Sequence, residues 1–333
     1  MDDVQLESAF QEAITSAAAA LTAELLRTAP DMLAEQRIFQ SEFEERLFQH
    51  WGKALDLFQT ILVVARDAGD SINQQQRQRA DEEQDFTFDV LSRLHARACL
   101  TASEVGVLLR SGYADAAMAR WRTLHEITVV AGFLKRYDRQ AAERYLLHEI
   151  VESLKAAEEY QHHYERLGDE PLDPEDLRWL RAQRDSLCER FGRAFGDVYG
   201  WAAAEFNGLS PSFKALEEAA GLDHLRPYYR MASHGVHSNP KGIKFSLGLS
   251  KPQRFLLTGP SNAGLCDPGH ATLISLTNCT INLLTHAIAL DTLVTSQALL
   301  QLTETAGQTF LDAHIEMKIR ERESSHTDES RFP

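Results

Sequence analysis

Cysteine is scarce in this chain of 333 residues, which contains only four. Cys99, Cys188, Cys266 and Cys279 are too far apart for a zinc knuckle and too few for a disulfide framework. These absences exclude a disulfide-stabilised secreted module. We therefore expect a protein of a reducing compartment, the cytoplasm.

Basic residues are also in the minority, because 34 lysines and arginines stand against 49 aspartates and glutamates and leave a net charge of -15. A surface of this sign disfavours nonspecific binding of polyanions. Any role on nucleic acid therefore needs a local basic patch.

A signal for membrane insertion or export is missing as well. The one long uncharged stretch, residues 268–290, contains histidines, asparagines and threonines, which favours a central buried helix over a membrane span. The N-terminus lacks the basic-then-apolar order of a secretory signal. We expect neither export nor a membrane partner.

Proline is rare and lies mostly at breaks, while apolar residues recur every three or four positions, the period of an amphipathic helix. The pattern predicts an all-α protein, a bundle of long antiparallel helices. A first helix is expected to end at Pro30. A helix from Phe86 should end near Gly112, and the short turn there predicts an antiparallel hairpin with a helix over about residues 114–137. Two short apolar segments, residues 243–249 and 255–258, predict a small β-hairpin. We divide the chain into an N-terminal helical region (1–80), a helical domain (81–318) and a disordered tail (319–333).

The most informative local feature is a stretch without acidic residues, from His224 to Cys266. In an acidic chain it forms a local positive region that suits a phosphate-bearing ligand, RNA among them. Its alternative interpretation is an apolar hairpin and loop that lack acids by chance. The candidate ligand-binding residues are Tyr229, whose ring can stack on a base, His234, Lys241, Lys244 and Arg254.

Helical spacing within this stretch places Arg230, Ser233 and His237 on one face. A histidine can move the proton of a ribose 2′-hydroxyl, and an arginine can stabilise the charge of a pentavalent phosphate. Ser233 would orient either group. This predicts a catalytic set that cleaves RNA to a cyclic phosphate without a cofactor. Alternatively, the histidines cap a helix terminus.

Arg122 and Glu126, one helical turn apart, form a second candidate pair. If this ion pair faces inward, it has a structural or site-building role, because burying charged groups costs free energy. The pair either ties helices together or supports the catalytic set by orienting Ser233 or His237.

Metal sites find little support in the sequence. Glu159 and His162 have the spacing of a carboxylate di-iron motif, but no second copy occurs. His234 and His237 lack a third ligand. We predict no metal and no cofactor.

Arg230 and His237 fit the Arg-x(4–6)-His pattern of higher eukaryotes and prokaryotes nucleotide-binding (HEPN) ribonucleases. Two other pairs fit the same spacing, Arg120 with His125 and Arg320 with His326. Only Arg230 and His237 lie within the acid-free stretch, which is why we prefer them.

Longer motifs extend this resemblance. They are residues 112–117 (GYADAA), residues 122–126 (RTLHE), and Tyr229 with Ser233 and His237. With them, the chain resembles the bacterial domain-of-unknown-function family 5677 over roughly residues 86–305. The resemblance implies an all-helical, HEPN-like protein that cleaves RNA in phage defence or as a toxin. It also implies a homodimer, because HEPN-like sites form where two copies meet, and an antitoxin or regulatory partner.

Two other functions remain open. One is a noncatalytic helical module that binds RNA, a nucleotide or a partner protein through residues 224–266. The other is a regulator that senses stress through its N-terminal helices.

Overall fold

The structure is a computed structural model that describes residues 3–137, 139–237, 239–249 and 256–329, with side chains from residue 6 to residue 323. Ten α-helices occur in these residues: α1 (Asp3–Glu83), α2 (Phe86–Arg110), α3 (Ala114–Arg136), α4 (Arg139–Leu147), α5 (Glu149–Leu167), α6 (Pro174–Phe191), α7 (Phe213–Ala220), α8 (Arg226–Val236), α9 (Cys266–Leu284) and α10 (Leu290–Glu329). The described residues contain no β-strand, so the all-α prediction is confirmed.

The chain divides into two compact units, Met1–Gly52 and Lys53–Pro333. The first unit consists of the N-terminal part of α1, and most of its side chains are exposed. Pro30 lies inside α1, so the prediction that a helix ends there is wrong. Because proline fixes φ near the helical value, α1 can continue across it, although the missing N–H and the clash of the ring with the preceding turn destabilise the helix at this point.

The core of the second unit is built around α9, which packs against α2, α3 and α10. Trp121 of α3 donates its indole N–H to the carbonyl of Ala271 (2.9 Å) and to Ser275 Oγ (3.0 Å). The polar side chains of α9 are tolerated because they bond to their own helix, as Thr280 does to the carbonyl of Leu276 (2.8 Å). The predicted central buried helix is therefore present. None of the described helices has the length and apolarity that a membrane crossing requires.

A helical hairpin, α2 and α3, carries much of the candidate site. Asp85 caps α2 by accepting the backbone N–H of Phe88 (3.0 Å), and α2 ends at Arg110. Gly112 adopts φ 78°, which a residue with a Cβ rarely does, and α3 begins two residues later. These boundaries match the sequence prediction closely, because capping and turn residues act locally.

The β-hairpin predicted for residues 243–258 is not formed in its described parts, which are turns and irregular segments. Asp115, in the first turn of α3, accepts hydrogen bonds from the backbone N–H of Leu247 (2.9 Å) and the hydroxyl of Ser246 (2.5 Å). A side chain from a distant helix thus takes backbone donors that a hairpin would have paired. Residues 250–255 lie outside the described residues.

The C-terminal segment also differs from the prediction, because α10 continues to Glu329 rather than ending before residue 319. Residues 319–329 contain neither glycine nor proline, and Arg320 lies 4.0 Å from Glu316 one turn earlier. Such spacing supports a helix through ion pairing along its surface.

Two glycines test the packing of the second unit. A Cβ at Gly69 of α1 would lie 2.3 Å from Cε1 of the buried His95, whereas a Cβ at Gly235 of α8 would meet no atom within 4 Å. We expect Gly69→Ala to destabilise the protein by about 1–3 kcal/mol through overpacking. Gly235→Ala should stabilise it by about 0.5–1 kcal/mol through helix propensity. Urea unfolding measures the change in the free energy of unfolding for both variants. Equal changes would contradict the close approach of Gly69 to His95.

Candidate functional site

Three of the predicted residues meet where α8 packs against α3. The Tyr229 hydroxyl donates to Glu126 Oε1 (2.6 Å) and accepts from Arg122 Nη2 (2.7 Å). Arg122 Nη2 lies 3.2 Å from the same Glu126 oxygen, and the guanidinium carbon lies 4.7 Å from the centre of the Tyr229 ring. We call these three residues the Arg–Glu–Tyr cluster. Its contacts tie α8 to α3.

The chemistry of the cluster follows from its surroundings. Burial, and then the hydrogen bond to Glu126, raise the pKa of the Tyr229 phenol well above its usual range. Tyr229 is therefore a protonated donor and not a base. Its hydroxyl is fully used inside the protein, so the structure places Tyr229 in a helix contact rather than on an open stacking surface.

A second, deeper contact lies beside the cluster. His125 Nε2 is 3.0 Å from Glu217 Oε1, and both side chains have 0% exposure. The other oxygen of Glu217 pairs with Arg226 at the start of α8. Burial lowers the pKa of His125, although Glu217 opposes the shift. This His125–Glu217–Arg226 chain links α3, α7 and α8 through the interior.

Aromatic rings complete this interior. The Phe213 ring lies 4.9 Å from that of Tyr229, and the His125 ring lies 5.6 Å from it, measured between ring centres. Tyr229 is thereby fixed by packing as well as by hydrogen bonds. The face of α8 that carries Tyr229 therefore packs against the rest of the fold, with Tyr229 partly buried.

The predicted catalytic residues occupy α8 and its end. Ser233 Oγ donates to the carbonyl of Tyr229 (2.8 Å), one turn earlier. His237 is the C-cap of α8, with an exposed side chain, and Arg230 is exposed as well. Their spacing puts both on one face of α8, about 10 Å apart along its axis. Arg122 and Glu126 contact Tyr229 and not Ser233 or His237, unlike the predicted supporting role.

The loop after α8 is held by side-chain contacts. His234 Nδ1 lies 2.7 Å from Asn239 Nδ2, and Asn239 Oδ1 accepts the backbone N–H groups of Lys241 (3.1 Å) and Gly242 (2.9 Å). The Lys241 side chain is exposed, as is that of Lys244. The remaining ligand-binding candidate, Arg254, lies outside the described residues.

The stretch that lacks acids in sequence does not lack them in space. Glu217 compensates Arg226, and Asp115 reaches the loop from α3. Within the described ranges, however, no carboxylate lies within 4.0 Å of Arg230, Lys241 or Lys244. Among the described lysines and arginines of the positive region, these three have no carboxylate partner.

The sequence did not reveal the roles of His125, Glu217 and Asp115. His125 and Glu217 are 92 positions apart, so no local spacing could pair them. Asp115 belongs to the GYADAA motif, yet only the folded chain shows that it binds the loop. A single sequence carries no signal for either contact.

A metal centre is not apparent in the part of the chain that the structure describes, because no group of three or more histidine, cysteine, aspartate or glutamate side chains could hold an ion. Near the di-iron-like motif, Glu159 Oε1 lies 3.2 Å from His163 Nε2 on α5.

Comparison with known proteins gives one match. The family of unknown function DUF5677 matches residues 88–254, half of the chain. The matched segment contains the Arg–Glu–Tyr cluster, α8 and the loop after it. The searches of curated proteins and of solved structures give no match.

The buried carboxylate of Glu217 provides a test of the site's architecture. Glu217→Ala leaves His125 and Arg226 without their shared partner, and we expect it to destabilise the protein by about 3–5 kcal/mol. Glu218→Ala is the matched control, because the neighbouring Glu218 is exposed and its pair with Lys214 is on the surface. The control substitution should lower the free energy of unfolding by at most about 1 kcal/mol. Chemical denaturation measures both, and a small effect at Glu217 would refute its central position.

Proposed function

The chain belongs to the family DUF5677, whose function is unknown, and we propose that it binds RNA through the outer side of α8. Arg230 and His237 on α8, with Lys241 and Lys244 on the loop, define this α8 surface. The observation that supports this proposal most is the lack of a carboxylate partner for Arg230, Lys241 and Lys244 in the described part of the chain. Arg226, by contrast, pairs with Glu217.

The physical basis is the exchange of counterions on the nucleic acid for protein cations. Each phosphate that a lysine or arginine neutralises releases counterions, which makes the affinity depend on salt. Three such contacts on single-stranded RNA predict a slope of about -2 for the logarithm of affinity against that of salt concentration. The net charge of -15 disfavours binding elsewhere on the molecule.

Metal-independent RNA cleavage by the same surface is a second candidate. Its support is that Arg230 and His237 lie on one face of α8 and are exposed. His237 would take the proton of the 2′-hydroxyl while the 2′-oxygen attacks phosphorus and the bond to the 5′-oxygen breaks, and the departing 5′-oxygen would take a proton from water. The products are a 2′,3′-cyclic phosphate and a 5′-hydroxyl. Arg230 would stabilise the phosphate, and Ser233 would hold α8 through its bond to Tyr229.

The resemblance to HEPN-like proteins suggests the biological context in which the protein acts. It suggests a cytoplasmic protein of phage defence or a toxin, held in check by an antitoxin or regulatory partner. It also suggests a homodimer in which the α8 surfaces of two copies form one site. The spacing of about 10 Å between Arg230 and His237 along α8 supports such sharing, because one phosphate spans less than this distance.

The binding proposal predicts the effect of removing two cations. Lys241→Gln with Lys244→Gln should weaken the binding of single-stranded RNA and make its salt slope shallower by about 0.7 for each lysine that contacts a phosphate. Lys53→Gln with Lys318→Gln is the control, because it removes the same charge from exposed lysines elsewhere. Fluorescence anisotropy with labelled RNA at several salt concentrations measures the slope. Equal losses in the two variants would reject the α8 surface.

The cleavage candidate predicts that wild type cuts total RNA in EDTA and leaves cyclic-phosphate ends. His237→Ala should lose at least about 100-fold in rate while it retains binding, since general acid–base catalysis contributes that much. His162→Ala, an exposed histidine on α5, should cut like wild type. Binding without cutting by the wild type would leave the noncatalytic module as the function.

A further inference from the structure

An exposed apolar stripe runs along α1 in the first unit of the chain. Its side chains are 47–69% exposed, although each is large and apolar. We call this the α1 stripe, and it consists of Phe10, Ile14, Leu21, Leu25, Met32 and Phe39.

The stripe follows a period of eleven residues. Phe10, Leu21 and Met32 are eleven apart, and so are Ile14 and Leu25. Eleven residues make slightly more than three turns of an α-helix, so positions eleven apart drift by only about 20° around its axis. The apolar residues therefore remain on one side of α1 for about 45 Å.

A helix with such a stripe normally buries it against another element. In the described part of the first unit nothing covers it. Pro30 also deprives α1 of one backbone hydrogen bond within the length of the stripe. Since isolated helices are marginal in water, packing by a partner helix explains how this segment stays helical.

We propose that the α1 stripe is a dimer interface, covered by the same stripe of a second copy of this chain. The six side chains offer roughly 700 Å² of apolar surface per copy, near the ~800 Å² per partner of a standard stable interface. A second copy presents an uncharged stripe of identical length and period, which suits a two-fold symmetric contact.

Charge argues against a membrane surface as the occupant. Residues 3–52 contain nine aspartates and glutamates and three arginines, a net charge of -6. Amphipathic helices that bind membranes are rich in lysine and arginine, because the lipid surface is anionic. An acidic helix is repelled by such a surface, and the side chains of the α1 stripe itself are uncharged.

The test is the mass of the full chain in solution, measured by light scattering after gel filtration. Wild type should have twice the chain mass of 37.5 kDa. Leu21→Glu with Leu25→Glu, on the stripe, should give the mass of one chain at the same concentration. Leu26→Glu with Leu33→Glu is the matched control, since both leucines are exposed (71% and 48%) on the other side of α1. This control should remain a dimer.

A wild type with the mass of one chain at every concentration would overturn the proposal, and so would equal dissociation of the two variants. Circular dichroism checks that the variants keep their helices. Hydrogen exchange of wild type gives a second measure that needs no substitution. Amides of residues 10–39 should be better protected at high protein concentration, and protection independent of concentration would also reject the interface.

The inference does not rest on RNA binding. If the α8 surface does not bind RNA while the wild-type mass remains that of two chains, only the proposed function fails. If wild type binds RNA as a single chain, the α1 interface fails together with the suggested homodimer, while RNA binding by the α8 surface stands.

Discussion

The buried carboxylate of Glu217 is the interaction on which the candidate site depends. An ionised group with no exposure is tolerated only when hydrogen-bonded partners replace the lost water, and here His125 and Arg226 do so. Because these partners lie on α3 and α8, Glu217 fixes α8 against α3. The position of Tyr229 between Arg122 and Glu126 follows from that placement.

This arrangement divides α8 into two sides with different chemistry. Arg226 and Arg230 are one turn apart, yet Arg226 is compensated by Glu217 and Arg230 has no carboxylate near it in the described chain. Tyr229 has its hydroxyl satisfied within the fold, whereas the side chain of His237 is exposed. The inner side therefore serves stability, and the outer side is the one available to a ligand.

Local signals explain what the sequence could predict. The all-α class, the ends of α2 and α3 and the Gly112 turn depend on neighbouring residues, and the prediction of each is confirmed. The errors come from interactions that a local pattern does not contain. Asp115 binds the predicted hairpin from more than 130 positions away, and His125 finds Glu217 across 92. For the site, spacing predicted the Arg122–Glu126 pair correctly but not that its partner is Tyr229.

The distribution of charge decides whether an acidic protein can still hold a phosphate. The Debye length at physiological salt is about 8 Å, so the acidic residues farther away are largely screened and the nearest groups dominate. Asp115 contacts the loop directly, but its oxygens accept hydrogen bonds from backbone N–H groups and from a hydroxyl, and not from the ammonium group of a lysine. Those dipoles stabilise its charge without consuming a cation. Lys241 and Lys244 consequently remain without a carboxylate partner among the described residues, which the proposed contact with phosphate requires.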